Sequence, residues 1–197
     1  MNLLVILAHP RRESLNAAIA HACRQVLTGL GHQVVFHDLH AEGFDPLLTG
    51  RELGRTGDLP EAVGRHCAEL AACDGLVVVH PNWWGMPPAV LVGWLDRVLR
   101  PGVAYEFLAG DSGQGVPRGL LGGKTLLVLN TADTPPQREA GFFGDPLEAI
   151  WRRCIAGLCG IQRFERRTFS VVVASTAQQR AAWLAEVRQI VRALFPA

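Results

Sequence analysis

The run Gly75-Leu76-Val77-Val78-Val79 contains no polar alternation. A strand of that kind is buried on both faces, the condition of a strand in the middle of a parallel sheet. Parallel strands need crossover connections, and the rest of the chain supplies them. Leu3–Ala8 reads as a first strand and Gln33–His37 as a second, short one ending at Asp38. Gly75–Val79 is the third and Lys124–Leu129 the fourth, and Thr168–Val173 is expected as the last.

Helices fall between the strands. Ser14–Leu30 opens on an N-cap serine and stops at Gly29 and Gly31. Pro60–Cys73 carries proline in its first turn. Pro88–Leu99 places Leu91, Trp94, Leu95 and Val98 on one face, so Trp94 is a core residue. Pro146–Cys159 and Gln178–Leu194 complete the set. Asp45–Leu59 and Leu99–Gly123 read as loops, the second a long excursion over the surface or an interface. Five strands with intervening helices in a chain of 197 residues predict one α/β domain over 1–197. The crossovers are right-handed and the strand order is 2-1-3-4-5.

Composition excludes several functions. The net charge is +1 with dispersed arginines, which argues against a nucleic-acid surface. Met1-Asn2 lacks a basic leader, and no apolar run approaches a membrane span, so no membrane insertion and a cytoplasmic location are expected. Cys23, Cys67, Cys73, Cys154 and Cys159 form no CxxC and are not spaced with histidines as ligands, so free thiols and no metal are expected.

Open α/β sheets bind ligands at the carboxyl ends of their strands. Three segments lie there. The first, Ala8-His9-Pro10-Arg11-Arg12-Glu13-Ser14-Leu15-Asn16, is a strand-to-helix turn, which suits a phosphate or simply caps a helix. It has neither GxGxxG nor GxxxxGK[ST], which disfavours a dinucleotide fingerprint and a Walker loop. The second is His80-Pro81-Asn82-Trp83-Trp84-Gly85-Met86-Pro87-Pro88. Its prolines stiffen the backbone and its indoles offer flat surfaces, so it reads as a holder of something flat. Two core tryptophans are the alternative, and His80 reads as structural. The third is Asn130-Thr131-Ala132-Asp133-Thr134, after the fourth strand. Ser14, His9 and Asp38 are near strand ends, but no GxSxG elbow accompanies them, which disfavours a hydrolase.

Together these segments resemble the NAD(P)H:quinone oxidoreductase family (DT-diaphorase-like), which has a flavodoxin-like three-layer sandwich. Pro81–Ala89 with Gly93-Trp94-Leu95-Asp96-Arg97-Val98 is the most specific part. Ala8–Asn16, Asp38-Leu39, Phe44-Asp45-Pro46 and Ala104-Tyr105-Glu106-Phe107 also match, so the likeness covers roughly residues 3–175. It implies a homodimer with noncovalent FAD (or FMN), FAD being favoured, and NAD(P)H as co-substrate. His9, Ser14, Leu15 and Asn16 would hold the phosphates. Pro81, Asn82, Trp83, Trp84 and Gly85 would line the flavin ring, with Asn130, Thr131, Ala132 and Asp133 on its other edge. Tyr105, Phe107 and Phe143 would form the substrate pocket, the first two across the dimer. The activity implied is two-electron transfer to a quinone or similar acceptor.

Two departures stand out. Gln137 and Phe143 occupy the positions of the family's Tyr/His relay, and neither moves a proton as those residues do. Ala132-Asp133 replaces a glycine pair, and Asp133 would repel an anionic flavin edge unless it turns away or accepts the ring N3–H. Two other functions compete with the enzyme. A flavodoxin-type electron carrier would have a strongly acidic surface, which this chain lacks. A flavin-binding regulatory or ancillary subunit of a transporter is supported by loss of the relay.

Overall fold

The computed structural model describes residues 1–53, 58–108, 110 and 115–197. Parts of the two expected long loops, 54–57, 109 and 111–114, lie outside the described residues. The main sheet has five parallel strands in the order β2-β1-β3-β6-β7. They are β1 (Asn2–Leu7), β2 (Gln33–Asp38), β3 (Gly75–Pro81), β6 (Thr125–Ala132) and β7 (Arg163–Ser170). Counted within the sheet this is the expected order 2-1-3-4-5, the flavodoxin-like arrangement. A two-stranded antiparallel ribbon, β4 (Tyr105–Glu106) with β5 (Arg118–Gly119), interrupts the excursion before β6.

The apolar strands sort their side chains by parity. Leu4, Ile6, Leu76, Val78, Leu126 and Val128 face a layer that includes α2 (Glu61–Ala72) and α3 (Ala89–Val98). Leu3, Val5, Leu7, Val77, Val79, Leu127 and Leu129 face α1 (Leu15–Gly29) and the C-terminal helix (Ala177–Leu194). All seven residues of β3 and all eight of β6 are buried, as a strand covered on both faces requires. Trp94 is fully buried on α3, as its position on the apolar face demands.

After β6 the chain forms a short α4 (Pro136–Gly141) and then one helical segment. That segment consists of α5 (Pro146–Glu148), a π-helical run over Ala149–Ala156, and α6 (Gly157–Cys159). The C-terminal helix is α7.

One strand differs from the sequence reading. The last strand is Arg163–Ser170, not Thr168–Val173. It lies at the sheet's edge and alternates between exposed and half-buried positions until Phe169, which is buried. Charged side chains on such a strand protect an open edge from pairing with another chain. The apolar Val171-Val172-Val173 follows the strand, and Val172 N–H still reaches the Ala132 carbonyl at 3.1 Å.

The loop before α2 is fastened to α3. Arg97 donates from Nε to Glu52 Oε2 (2.8 Å) and from Nη2 to Glu52 Oε1 (3.0 Å), and both side chains are buried. Its third arm donates to the Asp45 carbonyl. Gly93 permits this approach, since a Cβ there would sit 2.2 Å from the Pro46 carbonyl oxygen. Among the described residues, no helix is long and apolar enough to cross a membrane.

Candidate functional site

Parallel registration brings Leu7, Val79, Leu129 and Arg167 level across the sheet, so the loops after β1, β3, β6 and β7 share one edge. The chain leaves β1 toward one side of the sheet and β3 toward the other. Loops diverge at such a switch point and leave a crevice between them.

On one wall of the crevice, Ser14 caps α1, its hydroxyl accepting from Ala17 N–H at 3.1 Å. The first helical N–H groups have no intrahelical acceptor, and the helix end is positive, which favours an anion. Arg11 N–H donates to His9 Nδ1 at 3.0 Å. Nδ1 also lies 3.2 Å from the Arg11 carbonyl; with Nδ1 as the acceptor of the shorter N–H contact, a neutral ring carries its hydrogen on Nε2. Burial is the main cause that pulls the His9 pKa below its ordinary value, so the neutral form prevails. Asn16 is buried and donates from Nδ2 to Thr131 Oγ1 at 2.8 Å, while its Oδ1 has no partner. A buried unpaired acceptor beside a cavity is costly unless a ligand supplies a donor.

The tryptophan loop forms the facing wall. Trp83 N–H donates to the Met86 carbonyl (3.1 Å) and Met86 N–H to the Trp83 carbonyl (3.0 Å). The two residues between have positive φ, +57° at Trp84 and +74° at Gly85. Two-residue turns of this kind ordinarily take Asn-Gly, because a bulky side chain is strained there. Gly85 is required twice over, since a Cβ would also meet Pro146 Cγ at 2.6 Å. The turn projects Trp84 wholly into solvent and leaves Trp83 44% exposed, so neither is a core residue. Asn82 braces the loop. Its N–H donates to the Thr131 carbonyl (2.6 Å), its Oδ1 accepts from Gly85 N–H (3.0 Å), and its Nδ2 donates to Glu139 Oε1 (2.9 Å).

Beneath the loop, His80 is fully buried. Its Nδ1 lies 2.8 Å from the Pro81 carbonyl, and its Nε2 is 3.0 Å from Trp151 Nε1 and 2.7 Å from Asn130 Nδ2. The indole and amide are donors, so Nε2 is the acceptor and Nδ1 carries the hydrogen. Burial lowers the His80 pKa to about 4. Asn130 Oδ1 accepts in turn from Arg166 (3.3 Å), which also binds Thr168 Oγ1 (3.1 Å) and Glu148 Oε2 (2.9 Å) and pairs with Asp145. This network joins β3, β6, β7 and the helical segment after Asp145 into one support under the loop.

The residues singled out from sequence fall mostly in two adjoining cavities, with Asn130, Tyr105, Phe107 and Gln137 elsewhere. His9, Ser14, Leu15, Asn16, Pro81, Asn82, Trp83, Thr131, Ala132 and Asp133 line one cavity of about 230 Å³. Trp84, Gly85 and Phe143 line a second, of about 370 Å³, which shares Asn82 and Thr134 with the first. Asn130 is at neither surface, being consumed in the buried network; it belongs to the end of β6, not to a loop. Tyr105 lies in an apolar groove with Met86, Pro87 and Leu95, and its ring meets Phe107 edge-on at 5.8 Å. Gln137 is exposed and lines neither cavity. Asp133 lines the cavity with its Oδ1 accepting from Val173 N–H at 2.8 Å, so one carboxylate oxygen is engaged by the backbone. Glu139 and Pro146 also line the larger cavity and were not legible as site residues.

A second polar cluster lies between β2, α2 and α3. His37, Glu42 and His66 offer donor atoms within 4.8 Å of one another. Those atoms already serve each other. Trp94 Nε1–H donates to His66 Nδ1 at 2.9 Å, which leaves the hydrogen on His66 Nε2, facing Glu42 Oε2 at 3.8 Å. His37 sits between Glu42 (2.9 Å) and Glu69 (2.7 Å). With its lone pair taken by the indole, His66 is a poor ligand, and the cluster reads as structural. All five cysteines are free and four are buried; burial raises the Cys23 thiol to about 12 and Cys159 to about 11, which makes them inert.

Fold and topology define a flavodoxin-like α/β protein with a crevice at the switch point. The model of the flavodoxin-like fold family matches residues 1–191. An uncharacterized NAD(P)H oxidoreductase of Haemophilus influenzae is 34% identical over 175 residues, 86% of this chain and 83% of that protein. NAD(P)H dehydrogenase [quinone] 1 of Rattus norvegicus is 29% identical over 82% of this chain and 66% of that protein. The solved NAD(P)H:quinone oxidoreductase of Methanothermobacter marburgensis superposes with a TM-score of 0.81 at 25% identity, covering 98% of this chain and 96% of that one. The chain belongs to the NAD(P)H:quinone oxidoreductase family of flavodoxin-like proteins.

Proposed function

We propose that this protein is a flavin-dependent NAD(P)H oxidoreductase that passes two electrons to a quinone or a similar acceptor. One observation carries the reading. The turn that caps α1 and the tryptophan loop line two adjoining cavities that share Asn82 and Thr134. A flavin has two parts to match, an anionic tail and a planar ring. The donor set fits: the capped N-terminus of α1, His9 as a neutral N–H donor and Ser14 suit the phosphate, and the unpaired Asn16 Oδ1 awaits a donor.

When bound, the flavin supplies hydride chemistry that no side chain can perform. The chain's own residues bind and orient. Pro81, Asn82, Trp83 and Gly85 would line the ring edge, the backbone N–H groups of the last three being spent on holding the loop in shape. Trp84 walls the pocket, and the His80 network keeps the loop from shifting. Thr131 and Ala132 would close the other edge, with Asp133 beside them and its Oδ1 tied to Val173 N–H. FAD is the proposed form, and the assembly is a homodimer in which Tyr105 and Phe107 cover the partner's pocket. The apolar groove around Met86, Leu95, Leu99 and Ile155 is the surface such a dimer would cover. The location is cytoplasmic.

The test is direct. Purified protein should be yellow, release FAD identified by mass, and oxidise NAD(P)H in the presence of a quinone. A colourless protein that neither FMN nor FAD reconstitutes would refute the reading.

A further inference from the structure

The larger cavity, where the proposed flavin ring would lie with an acceptor stacked on it, contains a charged group to which the proposed reaction assigns no role. Its lining is Asn82, Trp84, Gly85, Thr134, Glu139, Phe143 and Pro146. Trp84, Phe143 and Pro146 give that lining flat apolar surfaces. Glu139 is the sole charged side chain in that lining, and no described lining residue carries a positive charge. Glu139 Oε1 accepts from Asn82 Nδ2 at 2.9 Å; Oε2 has no hydrogen bond or ion pair among the described residues. The carboxylate is half-buried, and its position is fixed from both ends. Asn82 clamps the side chain, and the Glu139 carbonyl accepts from Asp145 N–H at 2.9 Å. Asp133, whose Oδ1 accepts from Val173 N–H, lines the smaller cavity and not this one.

A carboxylate beside indole and phenyl rings is a site for an organic cation. The carboxylate supplies Coulomb attraction and the aromatic walls supply their negative faces. The same carboxylate repels an anionic ring that enters the cavity.

We propose that Glu139 sets the charge specificity of the acceptor pocket, selecting flat aromatic acceptors that carry a positive charge over anionic ones. This rests on the proposed function insofar as the occupant is an electron acceptor; the charge preference itself is a property of the cavity. It assigns a substrate class: cationic quinone-imine-like rings, of which a phenothiazinium dye is a practical probe. Glu139 is a specificity residue and transfers no electron or proton in this account.

The test compares methylene blue, a phenothiazinium cation, with an anthraquinone sulfonate on the flavin-bound protein. Steady-state kcat/KM for the two gives a cation-to-anion ratio. Glu139→Gln keeps an oxygen acceptor for Asn82 Nδ2 and removes the charge, so the ratio should fall about tenfold at low ionic strength. In the wild type the preference should shrink as salt is raised. Equilibrium binding of the same dyes, read by quenching of tryptophan fluorescence and competition with menadione, should shift in parallel. A ratio unchanged in Glu139→Gln, or a wild-type preference insensitive to salt, overturns the assignment. If Glu139→Gln does not fold, Glu139→Ala makes the same comparison, and an unchanged ratio there overturns the assignment too. If no acceptor is turned over, the proposed function fails, and the binding arm still decides the charge preference.

Discussion

Replacing Trp84 by Asn should make the protein more stable and a worse enzyme. Trp84 sits at φ +57°, in a turn whose neighbour Gly85 is also left-handed. A bulky residue in that region costs on the order of 1 kcal/mol or more, whereas Asn tolerates it. The usual counterweight, loss of apolar burial, is absent because the Trp84 indole is fully exposed in the chain. The net expectation is a gain of about 1 kcal/mol. For a chain of this length that raises the melting temperature by about 2–4 °C. Melting should be followed on flavin-stripped protein, because bound cofactor adds its own stabilisation. In the flavin-bound protein kcat/KM for a quinone should drop about three- to tenfold, the worth of one aromatic contact. A lower melting temperature that recovers at high protein concentration would show that the indole is buried between subunits. A lower melting temperature at every concentration, or unchanged turnover, would refute the argument that the turn stores strain for a functional purpose.

Three further outcomes follow from the packing. Trp94→Ala should cost about 3–5 kcal/mol by chemical denaturation, since the indole is fully buried and its N–H caps His66 Nδ1. The loss should fall on stability while flavin content per folded molecule stays close to wild type. His80, with its pKa pulled by burial from 6.5 to about 4, contributes stability that is complete above the unfolded value and is lost as pH falls toward 4. Between about pH 7 and 4.5 that amounts to about 2 kcal/mol. His80→Gln lacks this titration, so its stability gap to wild type should narrow by about that much over the same range; parallel pH profiles would contradict the buried neutral imidazole. Glu52→Ala should cost about 3–5 kcal/mol by leaving the Arg97 guanidinium buried and unpaired, and adding Arg97→Met should restore part of the loss.

The main architecture was legible because the strongest signals in the chain are also the ones that set topology. Leu3–Ala8 and Gly75–Val79 can be satisfied only between two helical layers, and Ser14 marks the start of the first helix. The last strand was misplaced for a physical reason. At a sheet's edge, Arg163, Glu165 and Arg167 are favourable outward residues, so Arg163–Ser170 carries no apolar run, and the adjacent valines draw the eye. Most lining residues of the smaller cavity were readable because they directly follow strands. Glu139 was not, because α4 has no buried residue and hence no periodic pattern. Only the fold brings its carboxylate to Asn82. Asn130 shows the opposite case: a polar residue at a strand end that tertiary packing turns inward as part of a support.

The central claim is that the crevice binds a flavin that exchanges electrons with NAD(P)H and an acceptor in turn. The most direct measurement is anaerobic stopped-flow absorbance of the flavin-bound protein. Mixing with NADPH or NADH should bleach the flavin band in a single-turnover phase. A second mix with quinone should restore the band, each half-reaction at least as fast as steady-state turnover. A flavin band that neither nucleotide bleaches, or that bleaches and is not restored by any quinone-like acceptor, would contradict the account.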